Sequence, residues 1–166
     1  MNKFKEPLTG VYRKDVFTEI GTYLLTLATR SKSPLSICVV DIDHLARVNE
    51  RFGQEVGDKV IKTIADAILH KCRKSDLVGY LGEGKIGLVL YDISGINTNM
   101  VLNGLRKKIA HEIELLEINK LKVTVSIGAS VIHGEMDKET LDVIYNRAYS
   151  ALRTAKEGGR DRIEVF

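Results

Sequence analysis

The sequence predicts an α/β fold in which helices flank a central, mostly antiparallel sheet. Three observations lead there. Amphipathic stretches with apolar residues every three to four positions alternate with short β-branched apolar runs. Two of those runs are joined by the glycine-rich tetrapeptide Gly82-Glu83-Gly84-Lys85, which reads as a hairpin. The chain has 166 residues, a length that suits one domain over 1–166 with a sizeable core and that also fits a piece of a longer signalling protein.

Residues 13–30 read as a helix with Val16, Ile20, Leu24 and Leu27 inward, broken by Ser31–Pro34. Leu35–Val40 is a buried strand ending at Asp41-Ile42-Asp43. Residues 44–52 form a short helix stopped near Gly53, and 55–71 a longer one with Val56, Val60, Ile64 and Ile68 on one face. Asp76–Leu81 and Ile86–Tyr91 are the hairpin strands. Asn97–Leu116 is helical along Val101, Leu105, Ile109 and Ile113. Leu121–Val131 is a strand. Thr140–Lys156 is the last helix, ended by Gly158-Gly159, and Ile163–Phe166 closes as a strand.

Composition narrows the function. Twenty-five basic residues against 22 acidic ones give a formal charge of +3, too mild for a nucleic-acid footprint. No apolar run approaches the length of a membrane span, and Met1–Pro7 lacks the apolar region of a signal peptide. Cys38 and Cys72 stand far apart, outside any C-x-x-C pair, as free thiols of a reducing cytoplasm do. The four histidines, at 44, 70, 111 and 133, share no metal-ligand spacing.

Asp41 and Asp43 leave the core on one face of a strand, where hard oxygen ligands suit Mg²⁺ beside a nucleotide phosphate. A polar strand end is the plainer reading of that pair alone. The stretch that follows adds Asn49, eight residues after Asp41, then Gly53 and Gly57-Asp58. Together these resemble the GGDEF family pattern D-x-D-x-F-K-x-x-N-D…G-x-x-x-G-D. Glu6-Pro7-Leu8-Thr9-Gly10 is similar to the entry motif D-x-L-T-G of that family, Val125-Ser126-Ile127-Gly128-Ala129 to its S-I-G-x strand, and Ala155-Lys156 with Gly159-Arg160 to A-K-x-x-G-R. The resemblance spans essentially the whole chain, in the family's order and spacing, and implies the nucleotidyl-cyclase-like fold.

It also implies a set of roles. Asn49 and Asp58 match the guanine-reading pair, Lys156 and Arg160 the phosphate-holding pair, and Asp41 a metal ligand, here vestigial. Arg73-Lys74-Ser75-Asp76 matches R-x-x-D, the family's inhibitory site for cyclic di-GMP, with five residues between Asp76 and Gly82. An arginine fork pairs with guanine O6 and N7, and an aspartate accepts from the opposite edge of the base.

The signature loop departs from the pattern. It falls on Gly82-Glu83-Gly84-Lys85-Ile86, so a metal-binding carboxylate is replaced by Gly84 and a glutamate by Lys85. Leu45, Ala46 and Tyr80 replace the family's aromatic, lysine and arginine nearby. Phosphoryl transfer depends on cations that neutralise developing charge, and an ammonium cannot coordinate one. Several independent losses lead to the expectation that the chain is no enzyme but a degenerate GGDEF domain, a cytoplasmic cyclic di-GMP receptor acting through Arg73 and Asp76. On this expectation no cofactor is required, Mg²⁺ enters only with bound GTP, and the signal passes to fused domains, a protein partner or a homodimer. There is no nucleic acid and no membrane insertion. The alternative is a GTP- or GDP-binding regulatory module that uses Asn49, Asp58, Lys156 and Arg160. Residual activity through Asp41 and Glu83, and a scaffold without nucleotide affinity, are the remaining readings. Gly79 to Lys85 also matches G-x-x-x-x-G-K, but Ile86 and the strand-like alternation after it argue against a P-loop.

Overall fold

An eight-residue run with apolar side chains on both faces must lie inside a sheet covered on both sides. The computed structural model, which describes residues 2–134 and 139–166, places Leu35–Ile42 in that position. In chain order the elements are α1 (Lys14–Ser31), β1 (Leu35–Ile42), α2 (Leu45–Phe52), α3 (Gln54–Lys71), β2 (Leu77–Gly82), β3 (Lys85–Tyr91), α4 (Gly95–Glu114), β4 (Val125–Ile132), α5 (Leu141–Glu157) and β5 (Ile163–Val165). The sheet order is β2-β3-β1-β4-β5, and β1 pairs antiparallel with both β3 and β4. Only β4 and β5 run parallel.

Alternation along β1 feeds two cores. Cys38, Val40 and Ile42 join the cluster under α3 and α4, and Leu35, Ile37 and Val39 join the cluster under α1 and α5. α1 buries Phe17, Gly21, Leu25 and Ala28, one residue later than the stripe predicted from Val16, Ile20, Leu24 and Leu27. Phe17 accounts for the rotation. Its ring covers the paired glycines Gly79 and Gly87 of β2 and β3, where a Cβ would lie 2.5 and 2.7 Å from ring or Cβ atoms. In α4 the predicted stripe holds at Leu105, Ile109 and Ile113, and only Val101, which is exposed, gives way to buried Leu102. The strand predicted from Leu121 starts only at Val125, although Leu121 and Val123 are buried.

The N-terminal segment protects the outer edge of β2. Tyr12 N–H donates to Val78 O at 3.1 Å, and Tyr80 N–H donates to Tyr12 O at 2.9 Å. Its own turn is held by Glu6, whose carboxylate accepts from Thr9 N at 2.7 Å and Leu8 N at 3.2 Å. Among the described residues no helix is long and apolar enough to cross a membrane.

α5 lies so close to β4 that a Cβ on Gly128 would sit 2.1 Å from Ala148 O and 2.2 Å from Leu152 N. Backbone cannot move aside as a side chain can. Gly128→Ala is therefore expected to lower stability by at least about 2 kcal/mol through overpacking, read as a fall in the urea midpoint at unchanged m-value.

Candidate functional site at the acidic end of the central strand

Asp41 is the last inward polar residue of β1 and is only 4% exposed. It lies opposite Lys85 on β3 and Ser126 on β4. Lys156, in the last turn of α5, reaches it from above the sheet, and the two form an ion pair. The Lys156 ammonium meets Asp41 at Oδ2, an oxygen that has no other partner among the described residues. Lys85 turns to Glu83 at 3.7 Å, a contact at the surface with Glu83 almost fully exposed.

Asp43 does something different from what the strand-end pattern suggests. It is 3% exposed. Its Oδ1 accepts from Ser126 Oγ at 2.8 Å, and its Oδ2 from Thr124 Oγ1 at 2.7 Å and Asp161 N at 3.2 Å. The carboxylate is thus filled by protein donors and is no partner to Asp41 in a two-carboxylate cage. Beyond it, the Asp161 carboxylate accepts from Arg106 Nη1 at 2.6 Å, and Arg106 Nη2 is anchored on Asn103 Oδ1 at 3.1 Å. Gly159, Arg160 and Asp161 all have positive φ, +114°, +65° and +46°. Exposed Arg160 rides on this clamped left-handed turn, beside the helix end that carries Lys156. The spacing in the sequence gives no sign of the clamp, since Asp43 and Asp161 are 118 residues apart.

Among the described residues no three His, Cys, Asp or Glu side chains are grouped as a metal cage. Asp41 alone is at hand. Mg²⁺ commonly takes one or two carboxylates and completes its shell with water and substrate phosphates. The residues present therefore fit a Mg²⁺ ion that arrives with a nucleotide, with Asp41 as its protein ligand.

The hairpin predicted at Gly82–Lys85 is present. Gly82 pairs with Lys85, so Glu83 and Gly84 are the two turn residues, both left-handed at φ +53° and +74°, as a type I′ turn requires. A strand follows, which removes the P-loop reading. Gly84 N donates to Tyr80 Oη at 3.2 Å, and a Cβ on Gly84 would come 2.7 Å from Leu45 Cδ2. Leu45, Tyr80 and Gly84 thus fit one another around the turn.

Asn49 and Asp58 stand on either side of the α2–α3 junction at Gly53. Asn49 leans directly over Gly57, where a Cβ would lie 1.6 Å from its Oδ1. That oxygen is buried and lacks a hydrogen-bond donor. Asp58 is half-buried and accepts from Gln54 Nε2 at 3.1 Å. A buried acceptor without a donor costs about 1–3 kcal/mol, and this oxygen faces the backbone of α3 at Gly57.

Arg73 and Asp76 form a separate region. β2, six residues long, separates them from the hairpin turn by roughly 20 Å. They line one cavity of about 250 Å³ together with Lys5, Tyr12, Cys72 and Val78. Asp76 is fixed by backbone: its Oδ2 accepts from Arg73 N at 2.8 Å and its Oδ1 from Tyr91 N at 3.4 Å. Arg73 is exposed, and its guanidinium has no ion pair among the described residues. Burial, and then the charge of Asp76, push the Cys72 thiol up to about 12, so it stays neutral and adds no charge to this cavity. Burial also pushes the Cys38 thiol up, with Cys72 and Asp76 adding to the shift.

The family model for the diguanylate cyclase GGDEF domain matches residues 4–162. The chain belongs to the GGDEF family. DgcT of Escherichia coli K12, named a probable diguanylate cyclase, is 32% identical over 97% of this GGDEF chain and 35% of its own length. The diguanylate cyclase DgcP of Pseudomonas aeruginosa is 32% identical over 96% of the chain and 23% of its own length. The chain thus spans about a third or less of these relatives. A crystal structure of the GGDEF domain of DgcB from Caulobacter crescentus in complex with c-di-GMP superposes with a TM-score of 0.91, covering 99% of this chain and 96% of that one at 20% identity, which shows the shared fold.

These findings overturn the expectation that the chain is not an enzyme. The matched family model and the curated relatives carry the name diguanylate cyclase. The expectation rested on Gly84, Lys85, Leu45, Ala46 and Tyr80; in the structure Gly84 N donates to Tyr80 Oη and a Cβ on Gly84 would abut Leu45, so three of these positions meet around the turn. Asp41 and Lys156 remain in contact beside them.

Removing the Asp43 carboxylate would strand two hydroxyls and one backbone N–H. Asp43→Ala is expected to cost about 3 kcal/mol in denaturant unfolding and to raise amide exchange at Asp161 above that of neighbouring β4. Unchanged exchange at Asp161 would remove the clamp.

Proposed function

We propose that residues 1–166 form one GGDEF domain that receives cyclic di-GMP at Arg73 and Asp76. The observation that carries this reading is the shared cavity, in which Asp76 is held by two backbone N–H groups while Arg73 keeps a free guanidinium. Each Asp76 oxygen retains a lone pair for the N1–H and N2–H₂ edge of a guanine. The Arg73 fork matches O6 and N7 of the same base. That the DgcB domain was crystallised with c-di-GMP supports the choice of ligand. A cytoplasmic site of action and passage of the signal through fused domains, a partner protein or a homodimer belong to the same proposal.

A second reading concerns the other end of β2, and the convergence of Lys156 on buried Asp41, with exposed Arg160 on the turn that follows, favours it. There Asn49 and Asp58 would read the guanine of GTP, Lys156 and Arg160 would hold its phosphates, and Asp41 would ligate a Mg²⁺ carried in with them. The ion would neutralise phosphate charge. Lys156 would exchange Asp41 for a phosphate oxygen, and Arg160 would present its fork from the clamped turn. The names of the relatives make condensation of GTP the activity to test at this end.

Calorimetric titration separates the two regions. Cyclic di-GMP is expected to bind saturably, and Arg73→Ala to weaken it about 10-fold or more, the loss of one bidentate contact. Undiminished affinity in that variant would remove the site assignment. GTP with Mn²⁺ is expected to lose about 10-fold in affinity in Asp58→Ala and nothing in Arg73→Ala. Chromatography of the same mixtures reads whether cyclic di-GMP is formed.

A further inference from the structure

The side of α2 opposite the Asn49 pocket carries a cavity of about 310 Å³ that neither nucleotide region uses. Arg47 and Arg51 line it from α2, and Lys120 and Lys122 from the segment that leads into β4. Its one carboxylate, Asp43, is already filled by Thr124, Ser126 and Asp161. Four cations against one acid leave an excess of three positive charges. That is a dense local excess on a chain whose formal charge is only +3 overall.

Among the described residues none of these four side chains has an ion pair or a hydrogen bond. Arg47 and Arg51 are four apart on one helix, a spacing at which like charges repel. The Arg51 guanidinium lies 5.2 Å from the Phe52 ring, and Val48 and Leu121 give the cavity an apolar floor.

We propose that this cavity is a binding site for a compact anion carrying two or more linked phosphate groups. Phosphate oxygens would bridge the α2 arginines and the two lysines, relieving repulsion that the chain alone leaves in place. The shape favours a small ligand over an anionic surface or polymer. The cations converge from two elements on a concavity, and its volume is at the lower end of small-molecule sites. The site is independent of Arg73–Asp76 and of Asp41–Lys156, so its failure leaves the proposed function untouched.

The probe is inorganic tripolyphosphate, titrated into the 166-residue chain at constant ionic strength and followed by ¹H–¹⁵N NMR. Lys156 and Arg160 offer a competing phosphate site, so the titration is repeated in Lys156→Ala/Arg160→Ala and in Lys120→Glu/Lys122→Glu. Both lysines of the second pair are exposed, and its spectrum reports that the fold is kept. Saturable shifts centred on residues 44–52 and 120–124 are expected. They should persist in Lys156→Ala/Arg160→Ala and weaken at least 10-fold in Lys120→Glu/Lys122→Glu. Shifts confined to residues 156–161, affinity unchanged by the charge reversals, or a diffuse response that never saturates would each overturn the site.

Discussion

The buried carboxylate of Asp43 fastens together three stretches of chain: the end of β1, the start of β4 and the turn after α5. A charge at 3% exposure is tolerable only when its lone pairs are filled, and here two hydroxyls and a backbone amide fill them. Everything functional at this end depends on that arrangement. It sets where β1 releases Asp41, it holds the left-handed turn that carries Arg160, and through Asp161 it connects to Arg106 on α4.

The two regions of interest lie at opposite ends of β2 and differ in how they are built. At the hairpin end the functional groups come from α2, α3, β1 and α5, so their geometry depends on the packing of the whole molecule. At the other end Arg73 and Asp76 lie within four residues of one another on a turn stabilised by its own backbone. The first is sensitive to distant substitutions such as one at Gly128. The second is local and tolerates them.

Much of the fold was legible because β1 is apolar on both faces, the hairpin carries its turn glycines, and the α3 and α5 stripes keep a regular period. What misled was aromatic bulk. Phe17 turned α1 by one residue because it had two glycines to cover, and periodicity counts apolar residues without knowing which partner lacks a side chain. Motif spacing singled out Asn49, Asp58, Arg73 and Asp76, and the structure places the first two toward one end of β2 and the last two at the other. The role of Asp43 was not legible, since its partners are supplied by residues 124, 126 and 161. Nor were the contacts of Gly84 with Tyr80 and Leu45, which only the folded turn brings together.

The bond between Asp161 and Asp43 also orders events in time. Pairing of β1 with β4 already brings Asp43 to residues 124 and 126, so its bond to Asp161 closes only the segment from β4 to residue 161, which is synthesised last. The β2–β3 hairpin and α1, which packs on β2, can assemble while the ribosome is still synthesising α5, but Asp43 stays only partly satisfied until residue 161 has emerged. The hairpin end of the sheet therefore matures after the rest, and a nascent chain acquires its Arg73–Asp76 turn well before it acquires a finished Asp41–Lys156 pair.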